Sequence, residues 1–468
     1  DGHWRDVLAF TWHIETVSGR HAVEDKLRRV LDATKPSTFR LAEGRTPPRR
    51  VTRASVETIE AIFEFRTAYG VGGGVLRLTP DPSDGTVQAW TLLTSLEQLN
   101  DHKERFSESR AADDTFDHGF GGDNWLDMRD KERAYEDREP AVLVVGGGQA
   151  GLGIAARLTH LGVDTLIVDR CERVGDNWRK RYHSLTLHNE VFVNHLPYMP
   201  FPPTWPVYIP KDMLANWFEA YVEAMELNYW SGISLTIGRY DIDTRRWRIT
   251  LQRNDGVERV VQPRHLVFAT GVSAIPVIPD LPGLKDFTGT VMHSSAYTDG
   301  HAWRGRNALV LGTGNSGHDV AQDLHGCGVD VTMIQRQSTH IVSLSEAQNG
   351  YAIYFEGPPI EDCDLLAVSF PFPVLREALR LATAASAEVD KELLDSLTAR
   401  GFKLNDGIDD CGFQMSYLQK GGGYYFNVGC SELIIDSKVG LMQFDEIECF
   451  TLEGAKLRNG EMVPADLI

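Results

Sequence analysis

An α/β fold with paired dinucleotide-type units is what three features of this chain predict: AVLVVGGGQAG at 141–151, NALVLGTGNSG at 307–317, and the apolar runs TLIVD and VDVTMIQR that follow them. In each unit a short run of strand character breaks into three glycines and then into a helical pattern. Gly146 and Gly312 allow a tight turn, Gly148 and Gly314 let backbone N–H groups approach a pyrophosphate, and Gly151 and Gly317 let the helix pack closely on the strand. Gln149, Ala150, Asn315 and Ser316 fill the same turns, where a helix N-terminus adds about half a positive charge. A further glycine run, Gly70, Gly72, Gly73 and Gly74, lacks this context because VLRLT, a strand, follows it.

The two units differ where the second strand ends. TLIVD finishes in Asp169, followed by Arg170, and a carboxylate there accepts hydrogen bonds from a ribose diol. VDVTMIQR finishes in Arg336, whose guanidinium suits a 2′-phosphate by about 1.5 to 3 kcal/mol, a tenfold to hundredfold preference. One site for an unphosphorylated ribose and one for NADP predict an enzyme using FAD and NADPH, with two Rossmann-like folds.

Taken in order, residues 1 to 35 read as helical, stopped by Lys35-Pro36, and VETIEAIFEFRTAY, GVLRLTPD and TVQAWTLLTSLEQL read as strands with a hairpin at Ser83-Asp84-Gly85. This is a small α+β unit over 1–115, followed by a charged linker over 116–139. The first nucleotide fold spans 140–300. After Asp169 it contains a long aromatic and proline-rich stretch, then a helix in KDMLANWFEAYVEAMELN with Leu214, Trp217, Phe218, Tyr221, Val222 and Met225 on one face. A meander follows, turning at Asn254-Asp255-Gly256, and RHLVFATG returns as a buried strand beside the first glycine turn, ending at Thr270 and Gly271. The second fold spans 301–430, with a proline-rich loop and two helices before GGGYYFNVG, whose Tyr424 and Tyr425 are candidates to face a substrate. Residues 431–468 return to the first fold.

Bulk properties narrow the function. With 66 acidic against 47 basic residues the net charge is −19, which disfavours nucleic acid and anionic membranes as general partners. Six cysteines without a CxxC pair or metal cluster suit a reducing, cytoplasmic setting and argue against a disulfide reductase. No apolar run is long enough to span a bilayer, and HLVFATGVSAIPVIPDLPG carries three prolines. No metal is expected, since the cysteines form no metal-ligand cluster.

Between the two glycine turns, FTGTVMHSSAY fits the pattern FxGxxxHxxxY at Phe287, Gly289, His293 and Tyr297. With it the chain resembles the class B flavin-containing monooxygenases over residues 140–468, in the order first glycine turn, ATG run, fingerprint, second glycine turn. LTLH, LPYMPFP, GTGNSG and Tyr297-Thr298 look closest to the indole-3-pyruvate monooxygenase branch rather than the ketone-oxidising Baeyer–Villiger relatives. The N-terminal unit resembles a SnoaL-like α+β cone, either a catalytic pocket or a filled docking or dimerisation module. The resemblance implies an NADP domain inserted in an FAD domain and an interdomain role for the fingerprint. It implies hydride transfer from NADPH to FAD, a C4a-hydroperoxyflavin, and oxygen delivery to a nitrogen, sulfur or activated carbonyl of a small organic substrate. Trp178, in GDNW, matches the family's tryptophan near the flavin, and His188 and Asn189 lie where relatives hold an asparagine, as flavin-site groups or as ordinary loop residues. The family's second ATG segment has no counterpart before Ile468, which reads either as a fragment or as a product that binds flavin poorly. Alternatives are an uncoupled NADPH oxidase or a non-catalytic scaffold, and a homodimer is compatible with either.

Overall fold

The structure, a computed structural model, describes residues 2–80, 85–106 and 120–468. It separates into two compact units. One contains 1–103, 309–325 and 330–447, and the other contains 104–308, 326–329 and 448–468.

The first unit begins with β1 (His3–Val7), β2 (Ile14–Ser18), α1 (Arg20–Thr34), β3 (Ser37–Leu41), β4 (Arg49–Arg53), β5 (Val56–Arg66), β6 (Gly70–Pro80) and β7 (Val87–Leu99). The strands form one sheet in the order β2-β1-β7-β6-β5-β3, with β4 also on β5; β1 runs parallel to β7. Residues 3–7 and 14–18 are therefore strands, and only 20–34 are helical as predicted. Their inward face carries a carboxylate, which hides the strand alternation. Asp6 is buried and accepts hydrogen bonds from the Thr11 N–H (2.8 Å), the Phe10 N–H (3.1 Å) and the hydroxyls of Thr11 (2.7 Å) and Thr94 (2.6 Å). A buried charge so supplied with donors is tolerable. β6 and β7 pair antiparallel as predicted, while Ser83 and Asp84 of the expected turn lie outside the described residues.

The glycine run at 70–74 is a packing device. Phe63 lies opposite Gly74 and Phe65 opposite Gly72, and a Cβ on either glycine would come within 2.3 Å of the opposing ring. One face of the sheet buries Trp4, Phe10 and Phe65 with Val23, Leu27 and Val30 of α1.

The second unit contains α2 (Trp125–Ala134), β8 (Val142–Val145), α3 (Gln149–His160), β9 (Thr165–Asp169), α4 (Asp176–Arg179), β10 (Thr186–Glu190), β11 (Tyr208–Pro210), α5 (Lys211–Ala224) and β12 (Asn228–Ser231). The predicted meander is β13 (Ile233–Asp241), β14 (Arg246–Arg253) and β15 (Glu258–Val261), and β16 (His265–Phe268) closes the order β12-β9-β8-β16, all parallel. β8 and β9 are buried on both faces, and α3 and α5 cover one of them through Leu152, Ala156, Leu214, Phe218 and Tyr221. β16 returns beside the glycine turn, as expected, but it is not buried. It is an edge strand, and Phe268 is 65% exposed.

The chain then returns to the first unit through β17 (Asn307–Leu311), α6 (Asn315–Gly326), β18 (Asp330–Gln335), β19 (His340–Ser343), α7 (Leu344–Gln348), α8 (Ile360–Val368), α9 (Phe372–Val389), α10 (Lys391–Ala399), α11 (Gly412–Lys420), β20 (Tyr424–Asn427), α12 (Cys430–Ile435) and β21 (Gly440–Gln443). The sheet order is β17-β18-β21, with β19 and β20 as a separate parallel pair. Two differences from the sequence reading follow. The insertion carries more helices than two, and the fold extends past 430 because β21 pairs in parallel with β18. The chain closes with a three-stranded sheet of β22 (Ile447–Thr451), β23 (Gly454–Leu457) and β24 (Met462–Pro464).

α8 covers the other face of the N-terminal sheet, packing Leu365 and Leu366 on Ile62, Val75 and Leu93. Above this apolar contact sits an ionic cluster. Glu60 pairs with Arg49, Arg53 and Arg77, and Glu356 pairs with Arg49 and Arg53. Arg77 is fully buried and also donates to Ser369 Oγ (2.7 Å) and the Leu366 carbonyl (3.3 Å).

Candidate dinucleotide sites

The first glycine turn is held shut by its own backbone. Gly146 has φ +109, and a Cβ there would lie 2.4 Å from the Ala269 carbonyl oxygen; one on Gly151 would lie 1.9 Å from the Gly146 oxygen. Ala269 donates its N–H to Val145 (2.8 Å), which puts the ATG run, including Thr270 and Gly271, beside the turn. Gly148 is the N-cap of α3, with no side chain capping the helix, so the first-turn N–H groups of Gln149, Ala150 and Gly151 have no side-chain acceptor. That is the arrangement a phosphate needs.

Asp169 stands at the end of β9 as predicted, but its carboxylate has a local task too. It accepts the Gly147 N–H (2.6 Å) and the Cys171 N–H (2.7 Å), fixing the turn. Each oxygen keeps a second lone pair for a diol. Arg170 is exposed and donates to the Ala274 carbonyl (2.7 Å). Trp178, in α4, is half-buried, and its indole N–H is buried without an acceptor. An orphaned donor of this kind fits a site whose acceptor comes from a bound group. Two residues that the motif spelling did not flag belong here. Tyr229 lies so close to Gly147 that a Cβ would meet its hydroxyl at 2.0 Å, and a Cβ on Gly148 would lie 3.3 Å from Asn177 Nδ2.

The second turn repeats the build. Gly312 has φ +121, a Cβ on Gly317 would lie 2.3 Å from the Gly312 oxygen, and Gly314 is open, its nearest neighbour being the Tyr424 oxygen at 3.7 Å. Asn315 does not face outward only: its Oδ1 accepts the Phe426 N–H (2.9 Å) and ties the turn to β20. Ser316 is half-buried in the first turn of α6. Gln335, the last residue of β18, is buried and joined to Lys403 in both directions (2.7 and 2.8 Å). Arg336 follows it, exposed and without a hydrogen bond or ion pair among the described residues.

The other candidates are distributed more widely. His188 and Asn189 are half-buried on β10, which pairs with β11. In the fingerprint, Phe287 and Tyr297 are buried, a Cβ on Gly289 would strike the Phe287 ring at 2.4 Å and the Asp466 oxygen at 2.6 Å, and His293 Nδ1 lies 2.9 Å from Ser295 Oγ. Thr290 and Asn307 both hold the last residues: Thr290 donates to the Asp466 carbonyl (3.0 Å) and Asp466 Oδ2 accepts from Asn307 N–H (2.9 Å). Tyr425 departs from expectation. It is fully buried and stacked on His318 at 3.8 Å, so it serves the core under α6 rather than a substrate. His318 itself escaped notice because the motif ends one residue earlier. Burial holds its imidazole down to about 3, so the ring is neutral.

None of the six cysteines is in a disulfide. Burial pushes Cys171 up to about 11 and Cys430 up to about 12, and raises Cys363 and Cys411 as well. Such thiols are poor nucleophiles. No group of three or more His, Cys, Asp or Glu suited to a metal occurs among the described residues.

Fold and turns together define a protein with two dinucleotide-type folds. Residues 140–352 match the family model described as pyridine nucleotide-disulphide oxidoreductase. Among solved structures, cyclohexanone monooxygenase bound to epsilon-caprolactone in the Loose conformation aligns with a TM-score of 0.52 over 70% of this chain and 72% of that one, at 20% identity. OTEMO in complex with FAD and NADP gives 0.51 over 71% of each chain at 18% identity. These likenesses establish the fold. In sequence, the chain is 37% identical over 217 residues to indole-3-pyruvate monooxygenase YUCCA1 of Oryza sativa subsp. japonica, covering 46% of this chain and 52% of that protein. It is 37% identical over 204 residues to probable indole-3-pyruvate monooxygenase YUCCA4 of Arabidopsis thaliana, covering 43% and 48%. The chain spans about half the length of the curated relatives it matches. No helix among the described residues is long and apolar enough to cross a membrane.

Proposed function

We propose that this chain is an NADPH-dependent flavin monooxygenase that binds FAD at the Gly146 turn and NADPH at the Gly312 turn and oxygenates a small organic substrate. The observation that carries the reading is the contrast between two turns of like build: one ends its second strand in a carboxylate, Asp169, and in the other the residue just past the second strand is a guanidinium, Arg336, without a partner among the described residues. When bound, the flavin supplies the two-electron chemistry that accepts hydride from NADPH and activates O₂. The protein's residues bind and orient. The uncapped start of α3 receives the pyrophosphate, Asp169 the ribose diol, and the indole N–H of Trp178 an acceptor on the cofactor. Arg336 pairs with the 2′-phosphate. His188 and Asn189 are the groups we assign to the flavin side. The similarity to indole-3-pyruvate monooxygenases favours an activated carbonyl substrate.

The raised thiols of Cys171, Cys363, Cys411 and Cys430 favour this reading over disulfide reduction, and free cysteines suit the cytoplasm. We read the N-terminal unit as a SnoaL-like module serving docking rather than catalysis, because Trp4, Phe10 and Phe65 fill the space between α1 and the sheet.

Titration with FAD is expected to saturate at one flavin per chain, followed by visible absorbance; a chain that takes up no flavin overturns the reading. With flavin bound, Arg336→Ala should weaken NADPH binding by tenfold to hundredfold and leave NADH unchanged. Equal effects on the two nucleotides would remove Arg336 from the 2′-phosphate.

A further inference from the structure

Outside both glycine turns, the first unit contains a cavity of about 150 Å³ between β19, the C-terminal half of α9, the start of α10 and the loop at 404–406. Its lining mixes apolar side chains, among them Ala387, Leu394 and Leu404, with polar ones that include His340, Asp390 and the exposed Asp406. An apolar cavity of this size is known to admit a body of roughly six heavy atoms.

The charges that line the cavity do not balance. Asp390 is 8% exposed; its Oδ2 accepts the Ser343 N–H at 2.7 Å, and no lysine or arginine forms an ion pair with it among the described residues. A buried carboxylate without a cation is costly, and one hydrogen bond offsets only part of that cost. His340 cannot be the missing cation. Its Nδ1 bonds the Asn405 carbonyl at 3.1 Å, and burial holds the ring below its ordinary value although Asp406 and Asp390 pull the other way. With Nδ1 donating to that carbonyl, the neutral ring adds no positive charge to the lining. A buried carboxylate and several apolar side chains thus line a space to which no lysine or arginine contributes.

We propose that this cavity binds a small primary alkylammonium ion, its –NH₃⁺ group on the Asp390 carboxylate and its short carbon chain against Ala387, Leu394 and Leu404. A bare metal ion is a poorer occupant. Calcium or magnesium needs six or more oxygen ligands, and much of this lining is hydrocarbon. The proposal does not depend on the oxygenase reading, because no dinucleotide takes part.

Calorimetric titration of the full chain with n-butylammonium chloride tests it, with 1-butanol as the uncharged match in size and sodium chloride as the salt control. One saturable site per chain is expected, filling by about 10 mM, with butanol at least tenfold weaker. Asp390→Asn keeps an oxygen for the Ser343 N–H but removes the charge, and should weaken butylammonium at least tenfold without changing the response to butanol. Ala387→Leu fills the cavity from α9 and should abolish the site while leaving the carboxylate in place. Absence of saturable binding to the unaltered chain, equal binding of butanol, or undiminished binding in folded Asp390→Asn or Ala387→Leu would each overturn the proposal. Should Asp390→Asn fail to fold, Ala387→Leu decides alone.

Discussion

A single methyl group separates the two kinds of glycine in these turns. At Gly317 an added Cβ would press against the Gly312 carbonyl at 2.3 Å, where backbone meets backbone and neither can yield without opening the turn. At Gly314 the same addition meets nothing nearer than 3.7 Å. The first glycine therefore serves folding and the second serves the ligand. Gly317→Ala should lower stability by about 1 to 3 kcal/mol and weaken nucleotide binding with it. Gly314→Ala should leave the melting temperature within about 2 °C, since ordinary surface changes cost under about 0.5 kcal/mol, while still weakening the nucleotide. Thermal melts beside NADPH titrations separate the two, and a Gly317→Ala protein as stable as its parent would refute the close-packing account.

Among the elements, the contact of α8 with the N-terminal sheet is the one that the ionic cluster decides. Glu60 sits among Arg49, Arg53 and Arg77; burial alone would raise its carboxyl, but the Arg53 hydrogen bond and the Arg77 charge bring it down to about 2. Glu60→Gln leaves buried Arg77 without its counter-ion and should destabilise this unit by about 3 to 5 kcal/mol in urea unfolding. The double replacement Glu60→Leu with Arg77→Met should recover most of that loss, since an apolar pair needs no desolvation. If the double variant is no better than Glu60→Gln, the cluster is not an electrostatic unit. None of this was legible in the sequence, where Glu60 and Arg77 are merely alternating strand charges and their partners Glu356 and Ser369 lie some 300 residues away. What was legible rests on local rules: both glycine turns, the α5 face, the meander and the β6–β7 hairpin strands follow from periodicity and turn chemistry. β1 was missed because its buried side is Trp4 and Asp6, and a carboxylate is read as solvent-facing unless its distant donor, Thr94, is known. At the candidate site, the sequence places Asp169 at the end of β9 and Arg336 one residue past β18, whereas Tyr229 and Asn177 come from elements that the motif does not include.

At the scale of the molecule, acid should act on the first unit in two stages, and the sign of each follows from its shift. His318 has its proton affinity lowered by burial to about 3 against an ordinary 6.5, so the unfolded chain binds the extra proton across that interval. Its contribution is complete above pH 6.5 and is lost as pH falls toward 3, at about 1.4 kcal/mol per pH unit. Glu60 is held at about 2 against 4.5, so its contribution is complete above 4.5 and is lost as pH falls from there toward 2. Between pH 6.5 and 4.5 only the histidine acts within this pair. Replacing it by phenylalanine keeps a ring to stack on Tyr425 and removes the titration, at the cost of the Gly314 carbonyl contact. Hydrogen exchange followed at β18 and at β8 then reads the two units separately. In the parent protein, protection of β18 should fall between pH 6.5 and 4.5 after correction for the intrinsic exchange rate; in His318→Phe that slope should become shallower, the remainder belonging to His340 and His3, which burial also lowers, while β8 behaves as before. An unchanged slope at β18 would mean that the buried imidazole is not what couples this unit to acid.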